Sequence, residues 1–376
     1  MTTNPEQVLF ASTAQAFLDR EGSLAHVREL QARGASFEPQ WWRQAAELGW
    51  AGLLISENLG GGSVSGDGLA DLSLIAEQIG HTVAPGPLHP VSVVLAGLAE
   101  AAHGHEEVIE ALISGECVAS WAVYEPRRPF HPTRPTTTAT VTASGFRVDG
   151  VKDRVEAGPE SAIFLVTADC DGDIRQFLVP ADSPGVTVTT QDSVDMVKRY
   201  ARVQFNGVDI DQSAALGTAE QTPAILERQR QVALVLQCAE LVGILDTVLG
   251  FTTQWAFDRH SFGRPLASYQ ALKHRFADMK MWFEACRATT AAAVAAVSDR
   301  SPEAPKLVSV AKAYVAERAP VMVQDCVQLH GGIGVTWEHD LHLFLRRAAL
   351  YRAMFGSPED HERAVFATTE KLEPTA

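Results

Sequence analysis

Apolar residues recur three and four apart in the first hundred or so positions and again over the last hundred and fifty. Between these stretches the pattern shortens to alternating runs. The helical spacing is clear at 41–48 and 69–79, with Gly60, Gly61 and Gly62, and then the proline-rich stretch 84–90, predicting breaks between helices. From about 120 to 220 the chain is rich in Thr, Val, Pro and Gly. Runs at 138–141, 146–148, 162–167, 176–179 and 203–205 are separated by turn formers such as Ala143-Ser144-Gly145 and Asp171-Gly172-Asp173, which predicts a small antiparallel sheet or barrel. From about Ala224 the helical period returns. Leu272, Phe276, Met279 and Phe283 form one stripe, residues 291–296 continue the helix, and Ser301-Pro302 interrupts it. The class expected is α+β, in three parts: an N-terminal all-α domain (1–119), a middle antiparallel β domain (120–222) and a C-terminal four-helix bundle (223–376).

Composition narrows the function. A chain of 376 residues with 46% hydrophobic content can build two or three domains with a real core. A net charge of −15 argues against nucleic acid or an anionic membrane as the main partner. With no apolar run of about eighteen residues read from the sequence, no membrane span is expected. The opening MTTNPEQVLF lacks a signal-peptide pattern, so a cytoplasmic location is expected. Cys117, Cys170, Cys238, Cys286 and Cys326 are far apart, with no CxxC spacing, and read as five buried thiols.

Two segments carry the chemistry. One is Arg259-His260-Ser261-Phe262-Gly263-Arg264-Pro265, with Gln270 eleven residues after Arg259. The other is Gln328-Leu329-His330-Gly331-Gly332-Ile333-Gly334, followed by Trp337-Glu338. Each alone is weak: a basic loop joining helices and a glycine cluster. Together, 58 residues apart from Gln270 to Gln328 in a helical C-terminal zone, they resemble the acyl-CoA dehydrogenase family. Residues 47–53 (Glu47-Leu48-Gly49-Trp50-Ala51-Gly52-Leu53) with Glu57, the turn Tyr124-Glu125-Pro126, and Val148-Asp149-Gly150-Val151-Lys152 extend the resemblance over nearly the whole chain.

The resemblance implies α,β-dehydrogenation of an acyl-CoA thioester by FAD, with electron-transfer flavoprotein as acceptor. It implies that Arg259, Phe262, Gln270, Gln328, Gly331 and Gly332 touch a FAD held mainly by a neighbouring subunit. A guanidinium fork suits pyrophosphate oxygens, Phe can cover an adenine or ribose face, and glycine lets backbone come close.

The departures are equally specific. The family's usual base, a Glu four residues after a Tyr, falls at Phe355, counted from Tyr351. The alternative position, on the helix before Arg259, falls at Ala233, with Leu234 where an Arg is usual. Neither residue accepts a proton, so no catalytic residue is assigned. Glu227 and Glu240 lie six residues before and seven after Ala233, roughly 9–10 Å along a helix. Arg127-Arg128-Pro129-Phe130-His131 replaces a small turn near the flavin, and Arg154 and Glu156 replace an aromatic and a Thr or Ser beside the ring. The implied role is the non-catalytic subunit of a heterotetramer, the type known from steroid side-chain CoA oxidation. Two readings stay open beside it: a homo-oligomeric dehydrogenase with a displaced base, and a non-enzymatic scaffold on the same fold. His339, Asp340 and His342, spaced as if on one helix, read as structural polar contacts rather than a metal site. His260-Ser261 lacks a nucleophile elbow, which disfavours a hydrolase, and Arg346 and Arg347 read as a solvated face or subunit ion pairs.

Overall fold

The computed structural model describes residues 4–101 and 104–370, with the side chains of 369 and 370 left aside. Six helices come first: α1 (Pro5–Glu21), α2 (Leu24–Arg33), α3 (Pro39–Glu47), α4 (Gly68–Thr82), α5 (Leu88–Ala101) and α6 (Glu106–Ile113). Their starts are written in the sequence. Asn4 caps α1 reciprocally with Gln7, and Ser23 and Asp67 accept the backbone N–H groups of His26 and Ala70. The proline-rich stretch 84–90 holds the predicted break, which lies between the end of α4 at Thr82 and the start of α5 at Leu88. Pro90 lies in the first turn of that helix, where its missing N–H would have had no intrahelical acceptor.

Seven strands follow: β1 (Ala119–Ala122), β2 (Thr138–Val141), β3 (Gly145–Glu156), β4 (Ile163–Cys170), β5 (Asp173–Pro180), β6 (Val186–Gln191) and β7 (Tyr200–Asp211). They form one sheet in the order β1-β4-β2-β3-β7-β6, with β5 also on β4. It is mixed rather than purely antiparallel, because β1 runs parallel to β4 through Ala119↔Ile163 to Ala122↔Val166. Phe146, Phe164, Phe177 and Phe205 fill its own core.

The C-terminal helices are α7 (Thr222–Asp258), α8 (Gln270–Ser298), α9 (Ala304–His330), α10 (Leu341–Ala353) and α11 (Pro358–Glu370). Two-residue strands β8 (His260–Ser261) and β9 (Arg264–Pro265) make a hairpin between α7 and α8. By length and hydropathy α7 could cross a membrane, contrary to the sequence expectation. In the fold, however, 89% of its apolar window is buried, so its hydrophobicity is that of a core helix. Gly80 on α4 and Gly243 on α7 bring those two backbones into contact. A Cβ at either would lie 2.0 Å from a carbonyl oxygen of the other helix, Glu240 O or Glu77 O. All five cysteines are free, four buried and Cys117 half-buried.

Arg347 ties the parts together. It is 1% exposed, not on a solvated face as its sequence context suggested. Its guanidinium pairs with Asp195 ahead of β7 and Glu240 on α7, and donates to Val83 O at the end of α4. Burial opposes ionisation of Asp195, yet Arg347 and the N–H groups of Val197 and Lys198 hold its carboxyl below the usual range.

Candidate functional site

Two surfaces matter: the cleft between the sheet and the C-terminal helices, and the hairpin end of the helices. In the cleft Phe355 follows α10 in a left-handed conformation, φ +57°, an uncommon one for a bulky side chain. Its N–H donates to Tyr124 Oη, and its carbonyl accepts from His361 Nε2 at 2.9 Å. The ring, 7% exposed, meets Phe130 at 5.2 Å, His89 at 5.6 Å, Tyr124 at 5.7 Å and Trp121 at 6.2 Å. Only about 20 Å³ remains open among His89, Trp121, Tyr124, Arg154, Glu156 and Phe355. That is room for about one water molecule.

The two replaced positions beside this cleft are used internally. Arg154 lies over the Tyr124 ring at 4.4 Å and donates to Arg128 O at 2.8 Å and Glu125 O at 3.3 Å. Glu156 pairs with Lys198 at 2.8 Å and stands 2.9 Å from His89 Nδ1. Burial raises its pKa, but Lys198 and His89 outweigh that and hold the carboxyl well below the usual range. Below the cleft, Glu125 accepts from buried Lys152 at 2.6 Å and from Thr136 and Thr137. Burial pushes the Lys152 ammonium down to about 8.

Neither alternative carboxylate reaches the cavity lining. Glu240 has Oε1 on Arg347 and Oε2 on the Tyr351 hydroxyl at 2.6 Å. Glu227 is held by Arg230 at 2.7 Å and Gln231 at 2.8 Å on the outer side of α7. Ala233 is buried, and its carbonyl accepts from His89 Nε2 at 3.1 Å.

The hairpin end is opposite in character. Phe262 and Gly263 form its two-residue turn with φ +50° and +80°, the left-handed pair of a type I′ turn. The Phe262 ring is 98% exposed at the tip. The loop beneath is braced: Tyr269 donates to Ser261 O at 2.7 Å, Arg264 covers the Tyr269 ring at 3.9 Å, and Leu266 N–H reaches Arg259 O at 2.8 Å. Arg259 and Gln270 are exposed on either side. Trp255 joins the two sequence motifs, because the Arg259 guanidinium lies 6.0 Å from its ring and His330 stacks on it at 5.2 Å. His330 donates through Nδ1 to Cys326 O, and Gln328, Gly331 and Gly332 follow the same edge, all exposed.

Gly331 has φ +68°, whereas Gly332 needs no positive φ, and a Cβ at either meets no atom of this chain within 4 Å. Gly334 differs, since a Cβ there would come within 2.6 Å of Val327 O. Intrachain packing therefore explains Gly334 and leaves Gly332 unexplained. Trp255 carried no motif in the sequence; its place four residues before Arg259, which caps α7, was the one available signal.

His339 lies in the turn before α10, not on it, and packs on His330 at 4.6 Å. Asp340 and His342 are engaged by Arg28 of α2. No group of three metal-binding side chains occurs among the described residues.

With that geometry in hand, comparison identifies the class. Models of the acyl-CoA dehydrogenase N-terminal and C-terminal domains match residues 4–116 and 228–368. The chain belongs to the acyl-CoA dehydrogenase family, oxidoreductases acting on CH–CH bonds with FAD as cofactor. It is similar to the acyl-CoA dehydrogenase IpdE2 of Mycolicibacterium smegmatis, 28% identical with 96% of this chain and 98% of that one covered. It also resembles FadE27 of Mycobacterium tuberculosis, 28% identical over 86% of each. Among solved structures, a variant of the Tcur3481-Tcur3483 steroid ACAD superposes with a TM-score of 0.88 at 26% identity, covering 97% and 98%. Butyryl-CoA dehydrogenase of Megasphaera elsdenii, 20% identical, shares the fold with a TM-score of 0.90 over 98% and 99%.

The residues present fit FAD unevenly. A flavin ring needs a slot that the cleft lacks, while the hairpin end presents an exposed guanidinium, an exposed ring and glycine backbone suited to a nucleotide.

Proposed function

We propose that this chain is the non-catalytic subunit of a heteromeric acyl-CoA dehydrogenase. It would lend the contacts of its hairpin end to a FAD seated in a catalytic partner. The observation that carries this reading is Phe355: the residue at the usual base position is an aromatic plug, and the surrounding rings leave about 20 Å³. Arg259, Phe262, Gln270, Gln328, Gly331 and Gly332 are free for a partner's cofactor. Arg259 would pair with diphosphate oxygens and Phe262 would cover the adenosine end.

Within the partner's site, FAD would take the hydride and the partner's carboxylate the proton. This chain's contribution would be to orient and enclose the nucleotide. Exposed Phe262, Ile333, Val335 and Trp337 around the hairpin end suit a protein partner rather than water. The Tcur3481-Tcur3483 steroid ACAD, a two-component relative by name, favours a steroid-derived or other bulky acyl-CoA as substrate, oxidised in the cytoplasm with electron-transfer flavoprotein as acceptor.

The test is to purify the chain alone and co-expressed with a family member that retains the base carboxylate and co-purifies with it, then assay acyl-CoA-dependent dye reduction. Turnover is expected only from the pair, and only while the partner retains its carboxylate. Turnover by the lone chain would overturn the reading.

A further inference from the structure

The glycine turn of the hairpin end, Gly331–Val335, is held by its ends rather than its middle. A Cβ at Gly331 or Gly332 would meet no atom of the chain within 4 Å, and Ile333 and Val335 are exposed. On the entry side, buried His330 closes α9, bonded to Cys326 O at 2.8 Å and stacked on Trp255. On the exit side, Thr336 closes the turn on Ile333 O through its N–H at 3.0 Å and its hydroxyl at 2.9 Å. Residues 337–340, which follow, lie in neither helix nor strand, so nothing in their own backbone ladder fixes them.

Arg28 of α2 reaches this exit from 312 residues away in sequence. Its Nε and Nη2 both donate to Asp340 Oδ1, at 2.9 and 2.7 Å. Nη1 donates to Trp337 O at 2.9 Å, and Nη2 reaches Glu338 O at 3.4 Å. A planar guanidinium can grip a carboxylate and the carbonyls of one turn at once, which an ammonium cannot. His342 braces the same turn: its ring stacks on Trp337 at 4.7 Å, and its Nε2 lies 3.1 Å from Trp337 O. Burial above all, with Arg28 and Arg346 adding to it, holds the His342 pKa below its usual range, so the ring beside the guanidinium is neutral at pH 7. His339 links exit to entry, accepting from Leu341 N–H at 3.2 Å while its ring packs on His330 at 4.6 Å. Arg28 and Asp340 keep 26% and 39% of their side-chain surface exposed, so as an ion pair they add little to overall stability. What the contacts accomplish is local.

We propose that Arg28 is a positioning residue for the cofactor contact: it fixes the exit of the glycine turn so that the backbone of Gly331 and Gly332 stands ready for a partner's FAD. The inference rests on the hairpin end being lent to that FAD. Arg28 does not touch the nucleotide, since its fork is taken up by Asp340 and the two carbonyls. A turn that is already in place spares the nucleotide the cost of ordering it on binding. The effect therefore falls on FAD affinity and not on hydride transfer.

Amide hydrogen exchange of the lone chain and flavin-release titration of the co-purified pair test this, with Arg28→Ala, Arg28→Lys and Arg259→Ala beside the native protein. In Arg28→Ala the bonded amides of Thr336 and Leu343 should exchange about tenfold faster, with those of α7 and α9 unchanged. FAD should bind that pair about tenfold more weakly, judged from the worth of a charged hydrogen bond, and excess FAD should restore dye reduction. Arg28→Lys, which keeps a charge for Asp340 and loses the carbonyls, should fall between. Should Arg28→Ala fold poorly, Asp340→Asn, which spares the two carbonyl contacts, should shift both readouts the same way by less. Three results overturn the proposal and leave the reading of the hairpin end standing. They are exchange unchanged at both amides, exchange faster throughout the chain, or local loosening with FAD affinity kept while Arg259→Ala loses it. FAD affinity kept in Arg28→Ala and Arg259→Ala alike overturns both.

Discussion

At the scale of single residues, Phe355 decides the character of the cleft. Truncation to alanine removes a ring packed against four others, with an expected loss of about 3–5 kcal/mol in denaturant unfolding. Phe355→Glu should cost at least as much, because it places a carboxylate among packed rings in a cavity that Glu156 already lines, and should give no turnover in the lone chain. Acyl-CoA oxidation by that variant alone would mean that a flavin had been seated beside it all along.

His361 supplies a pH dependence. Its imidazole donates to Phe355 O, and burial pushes its pKa down to about 4. The unfolded chain takes up this proton near pH 6.5 and the native chain only near 4. The stability it contributes is therefore complete above pH 6.5 and lost as pH falls from 6.5 towards 4, about 3 kcal/mol in all. His361→Gln should flatten that decline, measured as the urea midpoint against pH. Parallel curves for the two proteins would contradict it.

Among the elements, α7 and α10 carry the frame, and the hairpin end would carry the contacts to a partner's cofactor. Glu240→Gln leaves Arg347 short of a buried partner and should destabilise by about 3–5 kcal/mol. Dye reduction by the folded pair should stay within about twofold of normal, a margin near 0.4 kcal/mol in barrier height. Abolished turnover with normal stability would instead make Glu240 the displaced base. Arg259→Ala and Phe262→Ala should do the reverse, leaving the melting temperature of the isolated chain unchanged and lowering FAD occupancy of the pair. A drop in affinity of about tenfold per removed contact is expected in flavin-release titrations.

The elements also show what the sequence could reveal. Alternation exposed β2 and parts of β3, β4, β5 and β7. It missed β1, whose four residues are all buried and do not alternate, and β6, which is almost wholly exposed. Prolines marked the break before α5, although Pro90 itself falls in that helix's first turn, while Pro320 is accommodated inside α9. The hairpin motifs were legible because glycines and an arginine seldom fall at that fixed spacing by chance. The Arg347 network was not, since Asp195, Glu240 and Arg347 come from distant positions and only the fold shows that water is excluded from them. Nor was the junction through Trp255, because ring stacking leaves no pattern along the chain.

For the molecule as a whole, the two surfaces have been treated differently. The cleft that would serve a chain's own cofactor is filled by Phe130 and Phe355 and laced by Arg154 and Glu156. The end that would serve a neighbour keeps exposed Arg259, Phe262, Gln270 and Gln328, with Gly332 unexplained by its own packing. Loss of function alone would not be expected to spare one set so completely. The account is tested most directly by the ratio of flavin to protein, from absorbance and quantitative amino-acid analysis, for the lone chain and for the pair. It predicts no flavin on the lone chain and one FAD for every two chains in the pair. One FAD per chain, whether alone or paired, would contradict it.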